Sequence, residues 1–82
     1  MHETQYRVAL MECGNRYAEM AKPGSDLAIF IDEFHQRITD YPLLKLNRWL
    51  GYIQGVLIER GITTVEAERD WTRPLFRPLD FS

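Results

Sequence analysis

The segment that most restricts how this chain can fold is residues 41–60, which is rich in apolar side chains and has helix-ending signals on both sides. Pro42 suits the first turn of a helix, where its missing N–H has no intrahelical partner to lose. Gly61 suits the left-handed residue that ends a helix. Between them, apolar residues recur at three- and four-residue intervals, which predicts an amphipathic helix. These residues are Leu43, Leu46, Trp49, Leu50, Ile53, Val56 and Leu57.

A second side of the same helix is also apolar or small, and it carries Leu44, Gly51, Gly55 and Ile58. A helix that is apolar on two sides usually packs against neighbours on both, so we expect this helix to be the spine of the fold. Each interior glycine costs a helix about 1 kcal/mol relative to alanine. Gly51 and Gly55 therefore predict close helix packing, either inside the chain or against a second copy or another partner.

Two further helices are predicted before this segment. Residues 4–21 carry one apolar stripe at helical spacing, although the alternating pattern of residues 6–10 leaves a strand open there. Residues 26–39 show a clean amphipathic pattern, and Ser25 is the expected N-cap. The chain is therefore expected to contain three main helices.

A short fourth helix is predicted at residues 64–72, opened by a capping box in which Thr63 is the cap. Residues 73–82 are predicted to be an extended strap, because Pro74 disfavours helix at the residue before it and Pro78 follows closely. This strap either packs along the core or docks on another molecule. The sequence thus predicts an all-α fold: a compact bundle of three main helices, a short fourth helix and an extended proline-containing C-terminal strap.

The composition fits one small domain. The chain has 82 residues, of which 45% are hydrophobic, and a formal net charge of −2. A chain of this length fills one core, so residues 1–82 are expected to form a single domain. The single cysteine, Cys13, excludes an intrachain disulfide and favours a reducing compartment. Polar residues interrupt the apolar stretch 43–58, and no signal-peptide pattern is visible, which predicts a soluble, cytoplasmic protein without a membrane span.

Side chains suited to catalysis or metal binding are few. Asp32 and His35 stand three residues apart, but metal sites in helical bundles need matching groups from several helices. A solvated helix face is the more typical setting for such a pair. Ser25 is the expected cap, and Cys13 lies on the apolar stripe, where a core role is more typical than a reactive thiolate. We therefore expect a protein that is not an enzyme, with no catalytic residue, no metal and no cofactor.

A helix-turn-helix with its turn at Gly61 is an alternative, which would make the chain a small dimeric DNA-associated regulator. Leu57 lies where that motif favours a small residue. The helix that would read the DNA is acidic, and phosphate would repel it. Its charged residues are Glu66, Glu68 and Asp70 against Arg69, with a narrow basic line of Arg69, Arg73 and Arg77 in favour of DNA. Nucleic acid is therefore not the expected partner.

The run Lys45-Leu46-Asn47-Arg48-Trp49-Leu50-Gly51-Tyr52-Ile53-Gln54-Gly55-Val56-Leu57 resembles small proteins encoded by tailed bacteriophages and prophages. The shared pattern is Asn-Arg-Trp-Leu-Gly-x-x-Gln-Gly, followed by a short capped helix with an acidic and arginine pair. The resemblance covers half of the chain. Members of this group are mostly uncharacterised, so no activity or site residue carries over. The resemblance implies a bacterial cytoplasmic setting and an accessory role.

We therefore expect a protein-interaction module that binds and modulates a host or phage protein, with a virion assembly or structural component as a further alternative. A homodimer is also left open. Arginine and aromatic side chains carry most of the binding energy at protein interfaces. The expected contact residues are Arg48 and Tyr52 on the third helix and Arg73, Phe76 and Arg77 on the strap.

Overall fold

A computed structural model describes residues 3–80, and this part of the chain folds into four α-helices. They are α1 (Glu3–Met20), α2 (Asp26–Arg37), α3 (Leu43–Glu59) and α4 (Val65–Asp80). All regular structure in residues 3–80 is helical, which confirms the all-α prediction. The strand that the alternation over residues 6–10 left open is absent, because those residues lie inside α1.

The central helix is α1, which contacts each of the other three helices. The expectation that the third helix is the spine is therefore wrong. One side of α3 is buried, but its second apolar side faces solvent, and Leu44 there is 72% exposed. By contrast α1 buries Leu10, Cys13 and Tyr17 completely, and its small residues let two neighbours approach it closely.

The core lies where α1, α2 and α3 meet. Its buried residues share helical spacing on each of these elements, as an amphipathic bundle requires. They are Leu10, Cys13, Tyr17, Ala21, Leu27, Ile31, Phe34, Ile38, Leu46, Leu50, Ile53 and Leu57. On the α2–α3 side, the rings of Phe30 and Trp49 pack with centroids 5.0 Å apart. The fourth helix adds Trp71, Leu75 and Phe76 to the edge of this core and packs mainly on α1.

Close helix packing occurs at Gly14. A Cβ atom on this residue would lie 2.3 Å from Nε2 of His35, so only glycine admits the imidazole there. This Nε2 atom is buried and has no hydrogen-bond partner among the described residues, so His35 does not belong to a solvated face. At Gly51 and Gly55, a Cβ would meet no atom within 4 Å, and both residues are exposed. The prediction that they pack closely inside the chain is therefore wrong.

The connection between α2 and α3 is fastened by a side chain of α1. The guanidinium of Arg7 donates to the backbone carbonyl of Ile38 and, at 2.9 Å, to that of Tyr41. These carbonyls follow the end of α2 and have no helical partner of their own. The same connection is covered by Lys45, whose ammonium lies 4.3 Å from the centroid of the Tyr41 ring.

The observed helix ends agree in part with those predicted from the sequence. The hydroxyl of Ser25 accepts from the backbone N–H of Ala28 at 3.1 Å, which confirms it as the N-cap of α2. Gly61 has φ +73° and ends α3 in the left-handed region, as expected. At α4 the cap is Thr64, which accepts from the N–H of Ala67 at 3.1 Å. The prediction that Thr63 is the cap is wrong, because its hydroxyl donates to the Glu68 carboxylate instead.

The fourth helix does not stop at residue 72 but continues through both prolines to Asp80. The predicted extended strap at residues 73–80 is therefore wrong, and residues 81–82 lie outside the described part of the chain. Pro74 and Pro78 each remove one N–H from the helix ladder. Both are exposed, so solvent can reach this part of the helix. Packing of the apolar side of α4 on the core outweighs the loss of these hydrogen bonds.

Replacing Pro74 with alanine tests this helical register. Alanine restores a backbone hydrogen bond and removes the ring clash, so Pro74→Ala should raise the free energy of unfolding by about 1–3 kcal/mol. Urea denaturation followed by circular dichroism measures this change. Pro23→Ala, in the turn before α2, is the control and should instead lower stability by about 0.4–1 kcal/mol. If Pro74→Ala also lowers stability, the segment is extended rather than helical.

The glycines provide a second test of the packing. Gly14→Ala should destabilise the protein by about 1–3 kcal/mol, because the added methyl group must displace the His35 ring. Gly51→Ala and Gly55→Ala should each stabilise it by about 1 kcal/mol, because they gain helix propensity without a clash. Thermal and urea unfolding of the three variants compares these effects. A destabilised Gly51→Ala would mean that α3 packs closely against another part of the chain.

Candidate partner-binding face

A buried carboxylate positions the fourth helix. Glu68 is 4% exposed, and three side chains from other parts of the chain donate hydrogen bonds to it. The Tyr17 hydroxyl donates to Oε1 at 2.5 Å and the Thr63 hydroxyl to Oε2 at 2.6 Å. The Arg16 guanidinium donates to Oε2 at 3.1 Å and to Oε1 at 3.4 Å. The amide of Gln54 completes the cluster by donating to the Tyr17 hydroxyl at 2.9 Å.

This cluster joins α1, α3, α4 and the turn between α3 and α4 around one negative charge. Burial alone would raise the pKa of the Glu68 carboxyl, and it is the largest single influence. The hydrogen bonds from Arg16, Thr63 and Tyr17 together outweigh it and hold that pKa below its ordinary value. The carboxylate is therefore ionised and surrounded by donors. Such a group stabilises structure rather than exchanging protons with a substrate.

The residues that donate hydrogen bonds to Glu68 have shifted pKa values as well. Burial raises the pKa of the Tyr17 hydroxyl, and its hydrogen bond to Glu68 raises it further. The hydrogen bond to Glu68 also raises the pKa of Arg16, whose guanidinium stacks over the Trp71 ring at 4.7 Å from the centroid. Such stacking adds a cation–π attraction. These contacts keep the first half of α4 in one register against α1.

This cluster is not among the sites predicted from the sequence, because Glu68 stands between Glu66 and Asp70 on a segment whose charges suggest an acidic surface helix. A signal was present: Glu68, Thr72, Leu75 and Leu79 recur at spacings of four, three and four. That spacing places Glu68 on the inner side of a long helix. This spacing extends beyond the short helix predicted at residues 64–72, so that prediction does not place Glu68 on an inner side.

The described residues do not form a reactive centre at the cysteine. Burial, followed by the negative charges of Glu12 and Glu68, raises the pKa of the Cys13 thiol to about 12, so it stays protonated at neutral pH. Among residues 3–80, no three His, Cys, Asp or Glu side chains lie close enough together to hold a metal ion. None of the four helices described is long and apolar enough to cross a membrane.

A groove of about 290 Å³ runs between α3 and α4. It is lined by Tyr6, Asn47, Leu50, Gly51, Gln54, Thr72 and Phe76. Gly51 leaves the backbone of α3 uncovered at the wall of this groove. Gln54 is fixed by its hydrogen bond to Tyr17, so the buried cluster also sets the shape of the groove. The Tyr6 and Phe76 rings pack 5.5 Å apart at its α1–α4 end.

The five predicted contact residues fall into two groups. Arg48 and Tyr52 are exposed on α3, and the Tyr52 ring also packs on Phe30 with centroids 5.1 Å apart. Arg73 and Arg77 are exposed on α4, where they line a shallow depression together with the two prolines. Phe76 is partly buried in the groove and packs on the core, so it serves the fold as well as the surface.

The basic line on α4 is a real feature of the structure. Arg69, Arg73 and Arg77 follow one another at four-residue spacing on a continuous helix and are all exposed. Glu66 and Asp70 are exposed on the same helix and offset this charge. The surface of α4 is therefore mixed in charge rather than strongly basic.

Another apolar depression, of about 360 Å³, lies where α1 meets the end of α2. Val8 and Met11 are exposed there, and Ile38 forms part of its lining. This depression could not be expected from the sequence, because Val8 lies off the predicted apolar stripe of the first helix.

No protein-family model, curated protein or solved structure was found to match this chain.

The buried carboxylate leads to a pH-dependent prediction. Because the pKa of Glu68 is lower in the folded protein than in the unfolded chain, its stabilising effect is present above about pH 4.3 and is lost as the pH falls below that value. Glu68→Gln leaves the Arg16 charge without its partner and should cost about 3 kcal/mol at neutral pH. Urea unfolding at several pH values should show the gap to the parent protein narrowing in acid.

The matched control is Glu66→Gln, an exposed residue of the same helix, which should change stability by less than about 0.5 kcal/mol. A deficit of Glu68→Gln that stays constant from neutral to acid pH would contradict an ionised, stabilising carboxylate.

Proposed function

We propose that this protein is a non-enzymatic interaction module whose binding face is the outer side of α3 together with the α3–α4 groove. One observation carries the proposal: α3 keeps two exposed interior glycines, and a Cβ on either would meet no atom of the described chain within 4 Å. Each costs the helix about 1 kcal/mol relative to alanine. The fold does not need the space that they leave. Another molecule that approaches α3 closely would fill this space.

The surroundings of these glycines have the composition of a protein interface. Leu44 and Tyr52 are 72% and 59% exposed and flank the two glycines on this side of α3. Arg48 is exposed on the same side of the helix. Aromatic and arginine side chains around an apolar centre are typical of binding hot spots. The groove beside Gly51 adds a concave element into which a partner side chain can insert.

The biological setting that we propose is an accessory protein of a tailed phage or prophage, which binds and modulates a host or phage protein. The resemblance of residues 47–55 to phage-encoded proteins supports this setting. Most of these residues also lie on the exposed side of α3 or along the groove, where a partner could contact them. Leu50 and Ile53, by contrast, are buried and serve the fold.

Affinity capture tests the proposal. The parent protein should retain one defined protein from bacterial lysate, and the pair should bind again when both are purified. Arg48→Glu combined with Tyr52→Ala should weaken this binding at least about tenfold, because both anchors lie on the proposed face. Binding is measured by isothermal titration calorimetry.

Ile29→Ser is the control, because Ile29 is 61% exposed on α2 and lies outside the proposed face. It should leave binding unchanged. Circular dichroism verifies that both variants stay folded. If Ile29→Ser weakens binding as much as the α3 variant does, the binding face is on another surface, and if nothing is retained, the proposed function is wrong.

A further inference from the structure

The charges on α3 oppose the dipole of the helix. A helix stabilises anions at its N-terminal end and cations at its C-terminal end. In α3 the first turn has no acidic residue and the last turn has no basic one. Instead, Lys45 lies in the first turn, Arg48 follows one turn later, and Glu59 is the last residue. The isolated helix is weakened by this arrangement.

The C-cap residue Arg60 offsets the dipole at the C-terminal end, whereas the charges of Arg48 and Glu59 stay unpaired within the described part of the chain. Arg48 and Glu59 have no ion-pair partner among residues 3–80. They are separated by eleven positions, or about 16 Å along the helix axis, so they cannot pair with each other. Arg60 follows Glu59 but points towards α2, where it lines a pocket with Asp26.

The apolar residues on this side follow a different pattern from the charges. Leu44, at the N-terminal end, is 72% exposed. Gly51 and Gly55 occupy the middle, where a Cβ would meet no atom. The outer side of α3 therefore has an exposed leucine at its N-terminal end, opposite charges towards its two ends and a small-residue centre. A surface with this pattern is complementary to its own reversed copy.

We propose that the outer side of α3 binds a second copy of this chain, antiparallel, about a two-fold axis between Gly51 and Gly55. This arrangement places Gly51 opposite Gly55 of the second copy and Leu44 near the C-terminal end of the second copy's α3. Arg48 then lies beside Glu59 of the second copy. There it is near the C-terminal end of that copy's α3, where the helix dipole favours a cation. A parallel pairing would place like charges together. The proposal rests on the proposed function, since it names the occupant of the same face.

The size of the contact determines its strength. A helix of 17 residues is about 25 Å long, and one pair of such helices buries less than a standard interface of roughly 1,200–2,000 Å². The dimer should therefore dissociate in the micromolar range or above, and salt should weaken it because its ion pairs are near solvent.

Sedimentation equilibrium over a range of concentrations tests the proposal with three variants. Arg48→Glu brings like charges together twice in the dimer and should raise the dissociation constant about tenfold or more. Adding Glu59→Arg to the same chain reverses both charges and should restore dimerisation. Gly55→Leu should abolish it by blocking close approach. Circular dichroism should show an intact fold, because Gly55 is exposed and a Cβ there meets no atom within 4 Å.

The outcomes separate this proposal from the proposed function. A parent protein that stays monomeric up to about 1 mM, where even an association of about −4 kcal/mol would be visible, overturns the dimer. If that monomer still binds a partner through Arg48 and Tyr52, the interaction function holds and the face belongs to a different protein. A dimer that the double charge reversal fails to restore overturns the antiparallel pairing.

Discussion

The ionised carboxylate of Glu68 is the contact on which the arrangement of α4 depends. Taking a carboxylate out of water is costly, and the cost is offset only when donors surround it. Here the donors come from α1, the α3–α4 turn and, through Tyr17, from α3. The fourth helix shares little apolar area with α3, so this polar cluster decides its register. The groove beside Gly51 exists because α4 is held at that distance from α3.

The buried side of α1 combines three small residues, Ala9, Cys13 and Gly14, with the large side chains of Leu10 and Tyr17, and this combination suits a central helix. Gly14 accepts the His35 ring at a distance that no other residue would allow. Cys13 and Ala9 keep the remaining contacts short, and Tyr17 brings its hydroxyl to the buried carboxylate. The more apolar α3 lies on one side of the bundle. A helix with a moderate apolar stripe thus occupies the centre, because close approach depends on side-chain volume more than on hydrophobicity.

Much of the architecture could be predicted from the sequence. Helical spacing identified four helices, and Ser25 and Gly61 marked two of their ends correctly. The length of α4 could not be predicted, because local rules at Pro74 oppose helix and only tertiary packing overrides them. The buried position of Glu68 could not be predicted for the same reason. For the binding face, the free-energy cost of glycine within a helix singles out Gly51 and Gly55 in the sequence. Their exposure could not be predicted, because it depends on which helix is central.

The two prolines of α4 separate a firmly held first half of this helix from a second half that is less stable against local opening. The first half is fixed by Glu68 and by the stacking of Arg16 on Trp71, whereas the second lacks two backbone hydrogen bonds. Segments with fewer protected amides open at a lower free energy than the core they adjoin. The end of α4 can therefore detach and return while the remaining bundle stays intact. Each such opening would uncover the Tyr6 ring and widen the groove from one end.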